Sequence, residues 1–232
     1  LNLQRLKMPI NPYEDFKCDV PNLSTSVYFV VNDQFYNDQL PKAQLNDGIV
    51  VDSFSNAIKT HGEIITNHYA KLADTAKDAL TAFNTMLAQD GLFVYVPKGV
   101  KSDRTIQVIN ILRSDVDLML NRRILIVLEE GAELSMLFCD DSADDRKFLA
   151  TQVIEAYVGD NAKLELNCLE ETHLKNVRVS NVYIDQQSNS RVSHNIITLH
   201  NGVTRNKLDL TFSGEGSECF LNGCVVADKH QH

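Results

Sequence analysis

No Cys-x-x-Cys pair occurs in this chain, and its five cysteines are odd in number and unevenly spaced. That excludes a regular disulfide framework and suits a reducing cytoplasm. No apolar run approaches the roughly 18 residues that a membrane-spanning helix needs. Leu1 to Pro21 has neither a basic start nor an apolar middle, so it does not read as a signal peptide. Positive charge is scarce: 22 Lys and Arg stand against 31 Asp and Glu, for a net charge of −9, and no basic cluster stands out. Nucleic acid and anionic membrane are therefore disfavoured as partners. A phosphate loop, a nucleophile elbow and a dinucleotide fingerprint are all missing. What is present, 44% hydrophobic and 23% charged residues over 232 positions, is ordinary globular material for one large or two small domains.

The most informative feature is a phrase written four times: Gly131-Ala132-Glu133-Leu134, Asn161-Ala162-Lys163-Leu164, Asn189-Ser190-Arg191-Val192 and Gly216-Ser217-Glu218-Cys219. Each copy is a turn residue, a small residue, a charged residue and an apolar one. The small residues are 30, 28 and 27 positions apart (132 to 162, 162 to 190, 190 to 217), a period that announces stacked supersecondary units. Strand-like runs flank each copy: 123–129, 152–158, 177–184 and 207–212 before it, 134–139, 164–169, 192–200 and 219–226 after it.

Aligning the copies on their turns predicts which side chains stack. Leu134, Leu164, Val192 and Cys219 form one column, Met136, Leu166, His194 and Leu221 a second, and Phe138, Cys168, Ile196 and Gly223 a third. Alternation with Lys163, Glu165 and Asn167 gives the period of two of a strand with one buried face. Asn167, Asn195 and Asn222 fall at matching positions, as a side-chain amide ladder requires. These patterns predict a mainly β chain, a flattened parallel β-helix in which each strand pairs with its counterpart one coil later. An antiparallel sandwich is the competing architecture, and Asn201-Gly202, a hairpin signal between two strand-like runs, argues for it. The recurrence of the turn phrase once per strand pair favours the β-helix.

Upstream, 1–22 reads as an irregular arm, Val27 to Asn32 and Gly48 to Val51 as strands, and Ser53 to His61 and Glu63 to Leu72 as weak helices. A clearer helix is expected over Thr75 to Gln89, with Ala76, Leu80, Phe83 and Leu87 on its buried face, a capping box at Thr75 to Asp78 and a stop at Asp90-Gly91. The expected organisation is thus a small α+β cap over 1–91 and a β-helix over 92–232, with Thr105 to Leu112 in an irregular first coil. The last strand-like run leaves a bare edge, so the chain reads as a fragment lacking a C-terminal part.

Four groups of residues invite a chemical reading. Asp140, Asp141, Asp144 and Asp145 could hold calcium, but with Arg146 and Lys147 adjacent they read as a solvated loop. Glu170, Glu171, Thr172 and His173 could do acid–base work on a polysaccharide-acting β-helix, yet the neighbouring columns offer them no charged partners. Cys219, Cys224, His230 and His232 carry the ligand types of a zinc or iron site; the opposite parity of the two cysteines points them apart. His194, in an apolar column, reads as a satisfied core histidine or the mark of a bulge. None of these is assigned a catalytic, cofactor or metal role.

Ala82-Phe83-Asn84-Thr85 followed by Asp90-Gly91-Leu92-Phe93-Val94-Tyr95-Val96-Pro97-Lys98-Gly99-Val100 resembles the β-helix entry of the SufB/SufD family of iron–sulfur cluster assembly proteins. Arg123-Ile124-Leu125-Ile126-Val127 with Gly131-Ala132-Glu133-Leu134, and Ser213-Gly214 through Asp228 with His230, are similar to it too, and to the SufD branch more than to SufB. The likeness spans about 25–232; Thr105 departs from it, standing where the family commonly has proline. The resemblance implies a right-handed parallel β-helix that is a non-catalytic scaffold, pairing with a SufB-like subunit and docking a SufC-like ATPase. Self-pairing into a homodimer is compatible with an open edge. An iron–sulfur cluster would be handled transiently by the complex. The family's cluster-building Cys and His positions lie beyond His232, so no functional residue is carried onto this chain.

Overall fold

The computed structural model describes residues 25–36, 48–142, 145–228 and 231–232. The predicted strand at Val27 is β1 (Thr25–Val31), followed by β2 (Gln34–Tyr36) and β3 (Val50–Ser53). Two helices come next, α1 (Phe54–His68) and α2 (Ala79–Leu87). From there the chain is all strand: β4 (Leu92–Val96), β5 (Thr105–Leu112), β6 (Leu118–Leu128), β7 (Glu133–Ser142), β8 (Phe148–Val158), β9 (Lys163–Glu171), β10 (Val177–Gln186), β11 (Arg191–His200), β12 (Val203–Phe212) and β13 (Glu218–Val225). The expected arm at 1–22 lies outside the described residues.

From β4 onward strands alternate between two sheets, one ordered β13-β11-β9-β7-β5-β1-β2 and the other β12-β10-β8-β6-β4-β3. Every pairing between equivalent strands of successive coils is parallel, so the chain winds as a β-solenoid. The predicted columns hold in register. Leu134 pairs with Leu164, Leu164 with Val192 and Val192 with Cys219; Met136, Leu166, His194 and Leu221 follow in the same order. The sandwich fails here, because from β4 onward no hairpin joins neighbours within a sheet; the tight hairpin β1–β2 lies before the repeats. Asn201-Gly202 instead carries the chain from β11 in one sheet to β12 in the other. A Cβ on Gly202 would lie 2.3 Å from the Leu174 carbonyl oxygen and 2.4 Å from that of Asn176, so glycine is required there by backbone packed from the coil below rather than by a hairpin turn.

The repeated phrase forms the tight corner of each coil. Its first residue takes the left-handed conformation in all four copies, with φ of 68° at Gly131, 57° at Asn161, 55° at Asn189 and 73° at Gly216. Only Gly and Asn occupy the position because a Cβ-branched side chain would clash with the following carbonyl. The corners also bond to each other: Gly131 N–H donates to Asp160 O at 2.7 Å, Asn161 N–H to Ser188 O at 2.8 Å and Asn189 N–H to Glu215 O at 2.9 Å. The small second residue is buried in the first three copies, Ala132 and Ala162 at 0% and Ser190 at 1% exposure, where the corner closes over the lumen, and half-buried at Ser217 in the last. Gly99, at φ 71° with its N–H on Glu130 O, is a fifth corner that the phrase alone does not reveal.

Inward-facing Val94, Ile106, Val108, Ile124, Ile126, Leu134, Met136, Ile154, Leu164 and Leu166 make one continuous core along the solenoid. Burying each such side chain contributes roughly 1.5–3 kcal/mol. Tyr28, Val30 and Ile49 join the same core, and β1 and β3 pair with β5 and β4, so the segment before Gly91 closes the solenoid rather than standing off from it. Outside, the asparagine ladder forms: Asn195 Nδ2 donates to Asn167 Oδ1 at 2.7 Å and Asn222 Nδ2 to Asn195 Oδ1 at 2.8 Å.

Both helical expectations need correction in detail. The two weak helices are one helix, α1, kinked at His61 (φ −126°, ψ 26°), and it ends at His68 rather than Leu72. The helix expected from Thr75 to Gln89 begins only at Ala79, because Asp78 caps it by accepting from Thr81 N–H at 2.8 Å. Its buried face is also different. Thr81 and Asn84 are fully buried while Leu80 and Phe83 are half-buried and Ala76 is exposed. The reason lies beneath it: α2 lands on the outer face of a sheet whose outward residues there are polar.

Candidate functional site

Two polar constellations are built by this fold, one inside the solenoid and one under the helices. The first arises because the lumen is apolar only towards the tight corners. On β7 the inward series Leu134, Met136, Phe138 continues to Asp140, and on β9 the series Leu164, Leu166, Cys168 continues to Glu170. Parallel registry stacks Asn110, Asp140, Glu170 and Thr198 on one sheet. The facing sheet offers Arg122, Gln152, Ser180 and Asn206 at equivalent positions, with Arg178 two residues before Ser180.

These side chains bond one another, with Arg122 Nε and Asn110 Oδ1 left without partners. Asp140 Oδ1 accepts from Asn110 Nδ2 and Arg122 Nη1, both at 2.8 Å, and its Oδ2 accepts from Arg178 Nε at 2.7 Å. Arg178 Nη1 donates to Glu170 Oε1 at 2.5 Å and to Asn206 Oδ1 at 2.9 Å. Glu170 Oε2 accepts from Thr198 Oγ1 at 2.6 Å. Gln152 bridges Arg122 to Ser180, at 3.2 and 3.0 Å. Two guanidinium and two carboxylate groups, each at most 7% exposed, thus sum to zero formal charge. Burial alone would raise the Asp140 carboxyl, but the charges of Arg178 and Arg122 outweigh it and hold Asp140 below the usual carboxylate range. Burial lowers Arg122, while on Arg178 the two carboxylates overcome the same penalty and raise it.

Beside the quartet is a cavity of about 60 Å³ lined by Cys168, Glu170, Arg178, His194, Asn206 and Leu208. His194 is 2% exposed; its Nδ1 lies 3.1 Å from Leu166 O and its Nε2 has no partner. Burial pushes its pKa below the ordinary imidazole value. The Cys168 thiol is driven up to about 12, chiefly by burial, so it is not a nucleophile at neutral pH.

The second constellation pins the helices. Glu155, on the outer face of β8, accepts from the backbone N–H groups of Ala70 (2.8 Å), Leu72 (2.9 Å) and Ala73 (3.0 Å), and from Arg123 Nη2 at 2.5 Å. Arg123 also donates to Thr85 Oγ1 and lies 4.8 Å over the Tyr69 ring. Asn84 Nδ2 reaches Thr151 Oγ1 at 2.9 Å and the Arg122 carbonyl at 3.1 Å, and Asn181 Nδ2 reaches Thr81 Oγ1 at 2.8 Å.

The residues singled out in the sequence are redistributed by the fold. The reading of 140–145 as a solvated loop is wrong for Asp140, which is buried on β7; Asp141 is exposed at the end of the same strand, Asp145 pairs with Lys175 Nζ at 2.9 Å, and Asp144 lies outside the described residues. Glu170 does have charged neighbours, contrary to expectation, because Arg178 reaches it across the lumen from the other sheet. Glu171 faces outward and is exposed, and Thr172 turns inward to bond Asn201. His173 caps the following turn, its Nδ1 accepting from Lys175 N–H. Cys219 lies in the inner column opposite Val192 and Cys224 in an outer one opposite Ile197, so they point apart as their parity implied. His230 is outside the described residues, and His232 pairs through its backbone with Gly202 and Thr204. Among the described residues no group of three or more His, Cys, Asp or Glu side chains is placed to hold a metal ion. Arg122 and Arg178 escaped notice in the sequence, although they share parity with the apolar residues that follow them on β6 and β10.

Comparison with known proteins converges on one group. Residues 1–108 match the model of the SufBD protein N-terminal region, and residues 110–232 match that of the SUF system FeS cluster assembly SufBD core domain. An iron–sulfur cluster assembly SufBD family protein of Synechocystis is 30% identical over 126 residues, 53% of this chain and 26% of that protein. One from Pyrococcus horikoshii is 23% identical over 205 residues, 86% of this chain and 44% of that protein. The iron–sulfur cluster assembly protein SufB of Bacillus subtilis is 29% identical over 111 residues, 48% of this chain and 24% of that protein. The matched stretch is therefore less than half the length of each of these relatives.

Proposed function

The chain belongs to the SufBD family of SUF-system iron–sulfur cluster assembly proteins, and from that premise we propose that it is a SufD-like, non-catalytic scaffold subunit. In this reading it works in the cytoplasm in complex with a SufB-like subunit and a SufC-like ATPase, and the nascent cluster is cargo of the complex. Residues 1–91 act as the cap and 92–232 as the load-carrying solenoid. The observation that supports this best is the closure of the lumenal quartet: Arg122, Asp140, Glu170 and Arg178 spend their charge on one another, leaving a stiff coil rather than an open cleft. The polysaccharide-acting alternative loses its acid, since Glu170 is buried in that quartet.

The test is co-expression of the full-length protein with a SufB-like subunit and a SufC-like ATPase, followed by anaerobic size-exclusion chromatography. Co-elution of all three, with ATP turnover confined to the ATPase, is the expected result. Failure to form the complex at low salt, or cluster chemistry by the isolated chain, overturns it.

A further inference from the structure

We draw no further inference here: the strongest candidate, the cavity of about 60 Å³ beside His194 and Cys168 inside the solenoid, belongs to the lumenal constellation already described.

Discussion

Arg178 and Asp140 stand on opposite sheets of the solenoid, 38 residues apart in sequence, and their side chains meet inside it at 2.7 Å. A lumen that runs from a dry corner end to a charge-neutral polar end differs from a uniformly apolar one in a physical respect. Apolar columns tolerate a slip of one coil against the next, whereas the quartet is satisfied in one register only. Buried ion pairs seldom add net stability over apolar packing, so the arrangement is better understood as fixing which coil sits on which.

The first prediction concerns that quartet. Asp140→Asn leaves Arg122 facing a neutral amide and Arg178 with Glu170 alone, in a buried site. A cost of about 3–5 kcal/mol is expected for breaking such a pair, measured by denaturant unfolding. Adding Arg122→Met should recover part of it, because among the described residues the salt bridge of Arg122 is to Asp140, whereas Arg178 keeps Glu170. A double variant as unstable as the sum of the singles contradicts the account.

The corner makes the second. Asn161 sits at φ 57°. Asn161→Gly should change thermal stability little, whereas Asn161→Val, whose branched side chain resists this conformation, should cost roughly 1–2 kcal/mol. Equal effects of the two substitutions would mean that the turn does not depend on the left-handed residue.

The third prediction tests how the helices are held. Glu155 is the acceptor for three consecutive-region backbone N–H groups and for Arg123. Glu155→Ala strands all of them, so hydrogen exchange at 70–73 should rise by orders of magnitude while β6 to β11 stay protected. Uniformly faster exchange across the solenoid would instead show that cap and coil unfold as one unit.

Much of this architecture was readable beforehand, and for a definite reason. A solenoid repeats its constraints, so Gly or Asn at 131, 161, 189 and 216 and alternation around Leu134, Leu164 and Val192 report the same geometry several times over. What did not repeat was misread. Asp140 and Glu170 sit in runs of acids and look like solvated ends, yet each continues its strand's inward parity; their partners come from the other sheet, which no local pattern can reveal. Thr81 and Asn84 were hidden for the complementary reason, since an apolar face was sought on α2 and the sheet beneath it is polar. The asparagine ladder was legible because identical residues fell at one repeat position.

His194 supplies the last prediction, and it follows from the sign of its shift. Its imidazole occupies an apolar column between Leu166 and Leu221, with Nε2 unpartnered and Glu170 as the carboxylate that opposes the burial effect. Burial holds its folded-state pKa below the unfolded value of about 6.5. Between those two values the unfolded chain binds the extra proton, so this contribution to stability is complete above about pH 6.5 and is lost as the pH falls through the folded pKa. Asp140, also depressed in the folded state, behaves alike but only below about pH 3.9, which separates the two losses. His194→Leu should therefore flatten the stability profile just below about pH 6.5 while leaving the steeper acid limb. At neutral pH it should be neutral or stabilising by about 1 kcal/mol, since an unpaired buried acceptor is replaced by a side chain like its neighbours. Urea midpoints measured at several pH values decide it: a variant that retains the wild-type slope just below about pH 6.5 shows that the lumenal imidazole is not the group being titrated.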